Sequence, residues 1–157
     1  MKLLFIILAG IAGTAAMTAF MYLLSYVTRR LLKVIKILGT MLLGRTKTDG
    51  SLSDRLSTKV VGTLAHYTVG ILFSIGYLAL WESGVGDITA SWGLLGGLAN
   101  GLFAMLIWYF FFMVHPKPPK IALEPYLITL VFAHIVFGFV VTYTYYQLIH
   151  PEYDFWQ

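Results

Sequence analysis

The sequence predicts an all-α, polytopic membrane protein: a four-transmembrane-helix bundle with a cytoplasmic amphipathic interfacial helix, all within one transmembrane domain over residues 1–157. Hydrophobic residues make up 59% of the chain and charged residues 11%, whereas soluble domains have roughly 45–50% and about 25%. Four runs exceed the roughly 18 nearly uncharged residues that cross hydrocarbon as a helix. They cover residues 3–28, 60–81, 91–114 and 126–148. None alternates polar and apolar residues as barrel strands do, so helices follow.

The basic residues predict the orientation of the spans. Ten of the 11 Lys and Arg residues lie between spans one and two or between spans three and four, and cytoplasmic loops collect such residues. We therefore expect both termini outside the cytoplasm of a bacterium, with the spans among the lipids of its inner membrane. The net charge of +4 then reflects topology and not a nucleic-acid partner. The opposite side carries Lys2 and the acidic residues Glu82, Asp87, Glu152 and Asp154.

Span one carries small residues at helical spacing, which predict a thin face for close helix packing. These residues are Ala9, Ala12, Gly13, Ala16 and Ala19. The start of the chain also resembles a secretory signal peptide, with Lys2 before an apolar run and a small-residue site at 13–16. Because the apolar run continues to Arg29, we interpret it as a retained span, with cleavage as the alternative.

An amphipathic helix is predicted over residues 31–43. Its apolar face comprises Leu31, Ile35, Leu38 and Leu42, and its polar face comprises Arg29, Lys33, Lys36 and Thr40. A basic helix of this kind can lie in the cytoplasmic headgroup layer. The alternative is a bent extension of span one beside a partner, and the sequence leaves both open.

Span three has the strongest close-packing signal in the chain. Gly93, Gly97 and Gly101 recur every four residues and form a ridge against which another backbone can pack. Asn100 is an amide in the middle of this span, and we expect it to form an interhelical hydrogen bond. The span stops before Pro116, because proline cannot extend a helix.

A histidine with a glycine one helical turn further on occurs twice. Span two carries His66 and Gly70, and span four carries His134 and Gly138. At about 1.5 Å per residue, the two histidines lie about 10 Å and about 13 Å from the cytoplasmic ends of their spans. Because ionisable side chains are costly in hydrocarbon, we expect both rings to face the bundle interior at similar depth.

These four residues are the candidate cofactor-binding set. His66 and His134 could be the axial ligands of a haem b, with Gly70 and Gly138 leaving space for the porphyrin edge. A second interpretation needs no cofactor: each imidazole hydrogen-bonds across a helix interface to Thr, Tyr, Asn or a backbone carbonyl, and the glycines allow close helix contact. Proton or ion handling is a third.

The chain lacks the residues and motifs that enzyme active sites usually need. The chain has no cysteine, which excludes disulfides and thiolate metal sites. All seven carboxylates lie in loops or at helix ends, so no buried acid–base pair is expected. Neither a nucleophile elbow nor a phosphate loop occurs. We expect no catalytic residue and no metal site, even with His115 as a third histidine near the cytoplasmic side.

The chain resembles uncharacterised bacterial four-span membrane proteins with His-x-x-x-Gly in spans two and four. The matching positions are Gly10, Gly13 and Thr14 in span one, His66 and Gly70, His134 and Gly138, and Pro116 after span three. The resemblance implies the four-span topology and carries no assigned activity. We expect a non-catalytic accessory or structural subunit of a larger membrane complex, or a homo-oligomer. The alternative is a haem b electron-transfer protein that uses His66 and His134.

Overall fold

Four long helices and one short helix make up the structure. A computed structural model describes residues 1–30, 32–152, 155 and 156. Its helices are α1 (Lys2–Thr28), α2 (Val34–Leu42), α3 (Leu56–Glu82), α4 (Ala90–Val114) and α5 (Leu123–Ile149). All except α2 are long and apolar enough to cross a membrane. The predicted all-α, polytopic architecture is confirmed. Two residues of the sequence predictions, Leu31 in the interfacial helix and Asp154 in the outer acidic group, lie outside the described residues.

Helix α5 is at the centre of the bundle. It packs against α4 on one side and α1 on the other, while α1 also packs against α3, and α2 packs on α3. The largest fully buried side chains of α5 include Tyr126, Phe137 and Tyr145. The helices α3 and α4 follow one another in the chain, yet they are not among these closely packed pairs.

The glycine ridge of α4 packs against α5. Gly93, Gly97 and Gly101 are all buried. A Cβ atom on Gly97 would lie 2.7 Å from the Cα atom of Ile135, and one on Gly138 would lie 2.6 Å from the backbone nitrogen of Gly97. The two backbones are therefore in direct contact, and the predicted role of the span-three glycines in close packing is confirmed.

The predicted thin face of span one is partly wrong. Ala9 and Gly13 are buried, but Ala19 is exposed, and Met17 and Met21 belong to the core. The reason is that α1 contacts two helices, α3 and α5, on different sides. Its buried surface is therefore wider than one stripe of small residues.

The short helix α2 is a separate element that packs on α3. The left-handed conformation of Arg29 (φ 54°) ends α1, so α2 is not a continuation of span one. A Cβ atom on Gly39 would overlap the carbonyl oxygen of Thr58, and one on Gly62 would overlap the carbonyl oxygen of Ile35. Two glycines therefore set how closely α2 approaches α3.

The face of this helix that packs on the bundle is neither of the two predicted faces. Leu42, expected on the apolar face, is 49% exposed, and Thr40, expected on the polar face, is fully buried. The Thr40 hydroxyl oxygen accepts a hydrogen bond from the backbone nitrogen of Ser53 at 3.1 Å. The buried face is Val34, Ile37 and Met41, about 100° around the helix from the predicted one. The contact of Gly39 with α3 fixes the rotation of α2 about its axis. The hydropathy pattern of α2 does not predict that contact.

The two basic loops meet at one end of the bundle. The hydroxyl of Thr46 donates to the carbonyl oxygen of Lys117 at 2.7 Å, and the backbone nitrogen of Lys120 donates to Gly50 at 2.9 Å. At the opposite end, Lys2 forms an ion pair with Glu82 at 3.1 Å. The bundle thus has a basic end and an opposite end, as the charge distribution predicts.

An exposed carboxylate joins α2 to the basic end. Asp54 forms ion pairs with Lys36 of α2 and with Lys47 in the following loop. The hydrogen bonds from Lys36 and Lys47 lower the pKa of the Asp54 carboxyl below its ordinary range. The pKa of Asp49 is also lowered, mainly because its carboxylate accepts a hydrogen bond from Ser51.

Candidate functional site

Both histidines of the repeated motif line one cavity of about 260 Å³ inside the bundle. His66 is 8% exposed and His134 is 6% exposed, so both rings lie inside the bundle. All five helices contribute to the walls, which are otherwise mainly aliphatic and aromatic. The aromatic wall residues are Phe73 on α3, Trp108 and Phe111 on α4, and Phe137 on α5.

The cavity opens between α3 and α4. Two of its wall residues, Val69 on α3 and Ile107 on α4, are also exposed on the outer surface, by 47% and 50% of their area. Further towards the opposite end, the Asn100 side-chain amide donates a hydrogen bond to the Tyr77 hydroxyl at 2.9 Å. This bond joins α4 to α3 and confirms the interhelical hydrogen bond expected of Asn100. The interval between the two helices is therefore bridged at one level and open at another.

The hydrogen bonds of His66 determine which of its nitrogens carries the proton. Nε2 of His66 lies 3.0 Å from the Thr18 hydroxyl oxygen, and that hydroxyl donates its single proton to the carbonyl of Thr14 at 2.7 Å. Both contacts can be hydrogen bonds at the same time only if Nε2 of the ring donates to the Thr18 oxygen. In the neutral imidazole, Nε2 carries the proton and Nδ1 carries a lone pair.

His134 has the other tautomer. Its Nδ1 lies 2.8 Å from the backbone carbonyl of Leu130, which can only accept, so Nδ1 donates and Nε2 of the neutral ring carries the lone pair. The ring stands edge-on to Phe73, with centroids 6.3 Å apart. Among the described residues, neither Nδ1 of His66 nor Nε2 of His134 has a hydrogen-bond partner.

The space expected beside Gly70 and Gly138 is filled by the protein. A Cβ atom on Gly70 would overlap the Thr14 hydroxyl oxygen, and one on Gly138 would overlap the carbonyl oxygen of Gly93. Both glycines therefore allow close helix contact, with α1 in one case and with α4 in the other. Gly70 nevertheless lines the cavity, whereas a porphyrin edge at Gly138 would require α4 and α5 to separate.

The third histidine takes part in a different contact. Nε2 of His115 donates to the carbonyl of Met41 at 2.9 Å, and its Nδ1 accepts from the backbone nitrogen of Lys117 at 3.2 Å. His115 therefore joins the end of α4 to the end of α2 at the basic end. In the described part of the chain, no three His, Cys, Asp or Glu side chains are grouped as metal ligands.

Two hydroxyl residues on α1 belong to the histidine site although the sequence did not place them there. Thr14 lines the cavity and Thr18 orients His66. Their signal was a pair of hydroxyl residues one helical turn apart in an apolar span, on the side of the helix that also carries Gly10.

Comparison of the chain with protein-family models, curated proteins and solved structures finds no match in any of the three.

Proposed function

We propose that the protein is a non-catalytic component of a bacterial inner membrane and acts as a small accessory or structural subunit of a larger assembly. The basic end would face the cytoplasm, as the preference of Lys and Arg for cytoplasmic loops suggests, and both termini would lie outside. The assembly partner is another membrane subunit or a second copy of this chain.

The observation that supports this proposal is the outward face of α3. Gly76 is exposed, and a Cβ atom there would meet nothing within 4 Å. Thr68 and Leu72 are exposed on the same face, at four-residue spacing before Gly76. A glycine with a hydroxyl residue on a helix face is typical of helix–helix contacts in membranes, where small residues allow close approach. The buried glycines within the helices each lie against a neighbouring helix. Gly76 has no such neighbour in this chain, and a helix of a partner would supply one.

The experiment measures assembly size. The full chain, of 17.6 kDa, is extracted from its native membrane in a mild detergent and analysed by size-exclusion chromatography with light scattering. We expect an assembly larger than one chain, and we expect Gly76→Leu to reduce it to a monomer because the side chain blocks helix approach. Ala99→Leu is the matched control, since Ala99 is an exposed small residue on α4. A wild-type protein that elutes as a lone monomer with no bound protein would refute the proposal.

Haem b binding is the alternative, and one observation favours it. Nδ1 of His134 donates to a backbone carbonyl and leaves Nε2 with a lone pair, which is the arrangement common among metal-ligating histidines. The contact of Gly138 with the backbone of α4 opposes it. A visible absorption spectrum of the purified protein separates the two functions. A Soret band that disappears in His66→Ala and His134→Ala would support haem, and a colourless folded protein after expression with haem precursor would exclude it.

A further inference from the structure

We propose that the cavity between α3 and α4 is a binding site for a lipid-soluble hydroquinone, and that it prefers this reduced form to the corresponding quinone. The cavity walls belong to one chain, so this inference does not need the partner proposed above, although Val69 at the opening lies beside the outward α3 face of Thr68, Leu72 and Gly76.

Two buried histidines make one part of the cavity wall polar. His66 and His134 are both more than nine-tenths buried and both line the cavity. Thr18 and the Leu130 carbonyl occupy the proton-bearing nitrogen of each ring, so each ring is left with an unpartnered lone pair. Both nitrogens keep some accessible surface, so a ligand that supplies a donor can reach them and form a hydrogen bond. The site therefore suits a ligand with O–H or N–H groups.

The rest of the cavity wall is largely aromatic and encloses the volume of one ring. Around the two imidazoles the cavity presents Phe73, Trp108 and Phe137, whose faces and edges favour an aromatic partner. An apolar cavity of about 150 Å³ holds benzene. A volume of about 260 Å³ therefore accommodates one substituted ring. A flat ring with few polar groups satisfies both the walls and the size.

A ligand can reach the cavity from the side of the bundle, between α3 and α4. The exposed wall residues Val69 and Ile107 place the opening on the surface of α3 and α4 that would face lipid. A ligand would reach the site from the membrane, and an attached hydrocarbon tail could stay in the lipid while the ring enters. Membrane quinols combine a hydroxylated ring, low charge and such a tail.

The preference for the reduced form follows from the two tautomers. A hydroquinone offers hydroxyl donors to the lone pairs, whereas a quinone offers only carbonyl acceptors. To donate to a quinone, His134 would have to give up its bond to Leu130, and His66 would have to give up its bond to Thr18. A site arranged to hydrogen-bond one form discriminates strongly against an analogue that lacks the complementary group.

The experiment compares the two redox forms of one compound. The purified full chain in nanodiscs is titrated anaerobically with a decyl-substituted hydroquinone and with the quinone of the same skeleton, and binding is followed by quenching of tryptophan fluorescence. We expect saturable binding of the hydroquinone that is about tenfold tighter than that of the quinone. We expect Trp108→Phe to remove most of the quenching, because Trp108 lines the cavity.

Substitutions test the assignment of the two acceptors. His134→Phe keeps an aromatic ring without nitrogen, and we expect it to bring the two affinities within about twofold of each other. Thr18→Val frees the proton-bearing nitrogen of His66, and we expect the preference for the hydroquinone to fall by about threefold. Thr142→Val is the matched control, because Thr142 also donates to a carbonyl one turn back but contacts neither histidine. We expect this control to keep the wild-type preference.

Three results would overturn the proposal: equal affinity for the two forms in the wild-type protein, no saturable binding of either form, or an unchanged preference in Thr18→Val. The last measurement decides the question if His134→Phe does not fold, because Thr18→Val replaces a side chain with one of nearly equal shape.

Discussion

Helix α4 meets two neighbours in contrasting ways. Against α5 its glycines bring the two backbones into contact, and no space remains between them. Against α3 it forms the Asn100–Tyr77 hydrogen bond at one level and borders an open cavity at another. A single stripe of small residues can serve only one neighbour closely. The neighbour that does not receive the stripe is the one beside which a cavity forms, and here that cavity contains both histidines of the repeated motif.

The largest effect is expected where the backbones touch. In Gly138→Ala, the new Cβ atom would lie 2.6 Å from the Gly97 nitrogen, so α4 and α5 must separate. We expect the free energy of unfolding in detergent to fall by about 3 kcal/mol, the upper part of the range for overpacking. Thermal unfolding followed by circular dichroism measures the change.

Gly76→Ala is the control for this substitution. A Cβ atom on Gly76 meets nothing within 4 Å, and alanine favours helix over glycine by about 1 kcal/mol. We expect the stability of Gly76→Ala to equal or exceed that of the wild type. Equal losses in the two variants would show that the α4–α5 contact is no tighter than the outward face of α3.

The bridge between α3 and α4 should have the next largest effect. Tyr77→Phe removes the acceptor for the Asn100 amide, and we expect a loss of about 0.6 kcal/mol, the average for hydrogen bonds between membrane helices. Chemical unfolding in mixed detergent micelles measures it, with Tyr109→Phe as the control at an exposed tyrosine on α4. An unchanged stability would mean that the bridge does not hold the two helices together.

Filling the open interval should be tolerated. Ala104 is on α4 and lines the cavity, so Ala104→Leu has empty space to occupy. We expect a free energy of unfolding within about 1 kcal/mol of the wild type, since cavity-filling substitutions are commonly neutral or stabilising. Ala104→Leu thus adds more atoms than Gly138→Ala at a lower cost. A loss as large as that of Gly138→Ala would show that the interval is closed.

The smallest effect is expected at the surface of the basic end. The folded-state pKa of Asp54 is lowered by Lys36 and Lys47, so the stabilisation is present above the ordinary pKa of the carboxyl. It is lost as the pH falls through that value towards the lowered folded-state pKa. We expect the difference in melting temperature between the wild type and Asp54→Asn to be small at neutral pH and to vanish in acid. High salt should also reduce it, because the ion pairs are exposed.

Asp87→Asn is the control for the ion-pair measurement. Asp87 lies in the loop between α3 and α4 at the opposite end, and it forms no ion pair among the described residues. A difference for Asp54→Asn that persists in acid would show that the ion pairs are not its source.

The sequence predicted the buried side of α3 better than that of α1 or α2. Gly62, His66, Gly70 and Ser74 recur every four residues along α3, and all four are buried. This succeeded because α3 buries one face, on which small and polar residues alternate regularly. The face of α2 that packs on α3 did not follow from the sequence, because the rotation of α2 depends on the contact of Gly39 with Thr58. Such a contact joins residues far apart in the chain, and periodicity carries no information about it.

The four apolar helices, the grouping of the basic loops at one end and the similar depth of His66 and His134 could all be predicted from the order of residues. Hydropathy, charge and rise per residue are local properties that add along the chain, so they need no knowledge of neighbours. The helix that meets each glycine, the place where the bundle stays open and the imidazole nitrogens without a partner emerged from the packing of the helices. Those features depend on how each helix is rotated against another, and that rotation is set by contacts between distant residues.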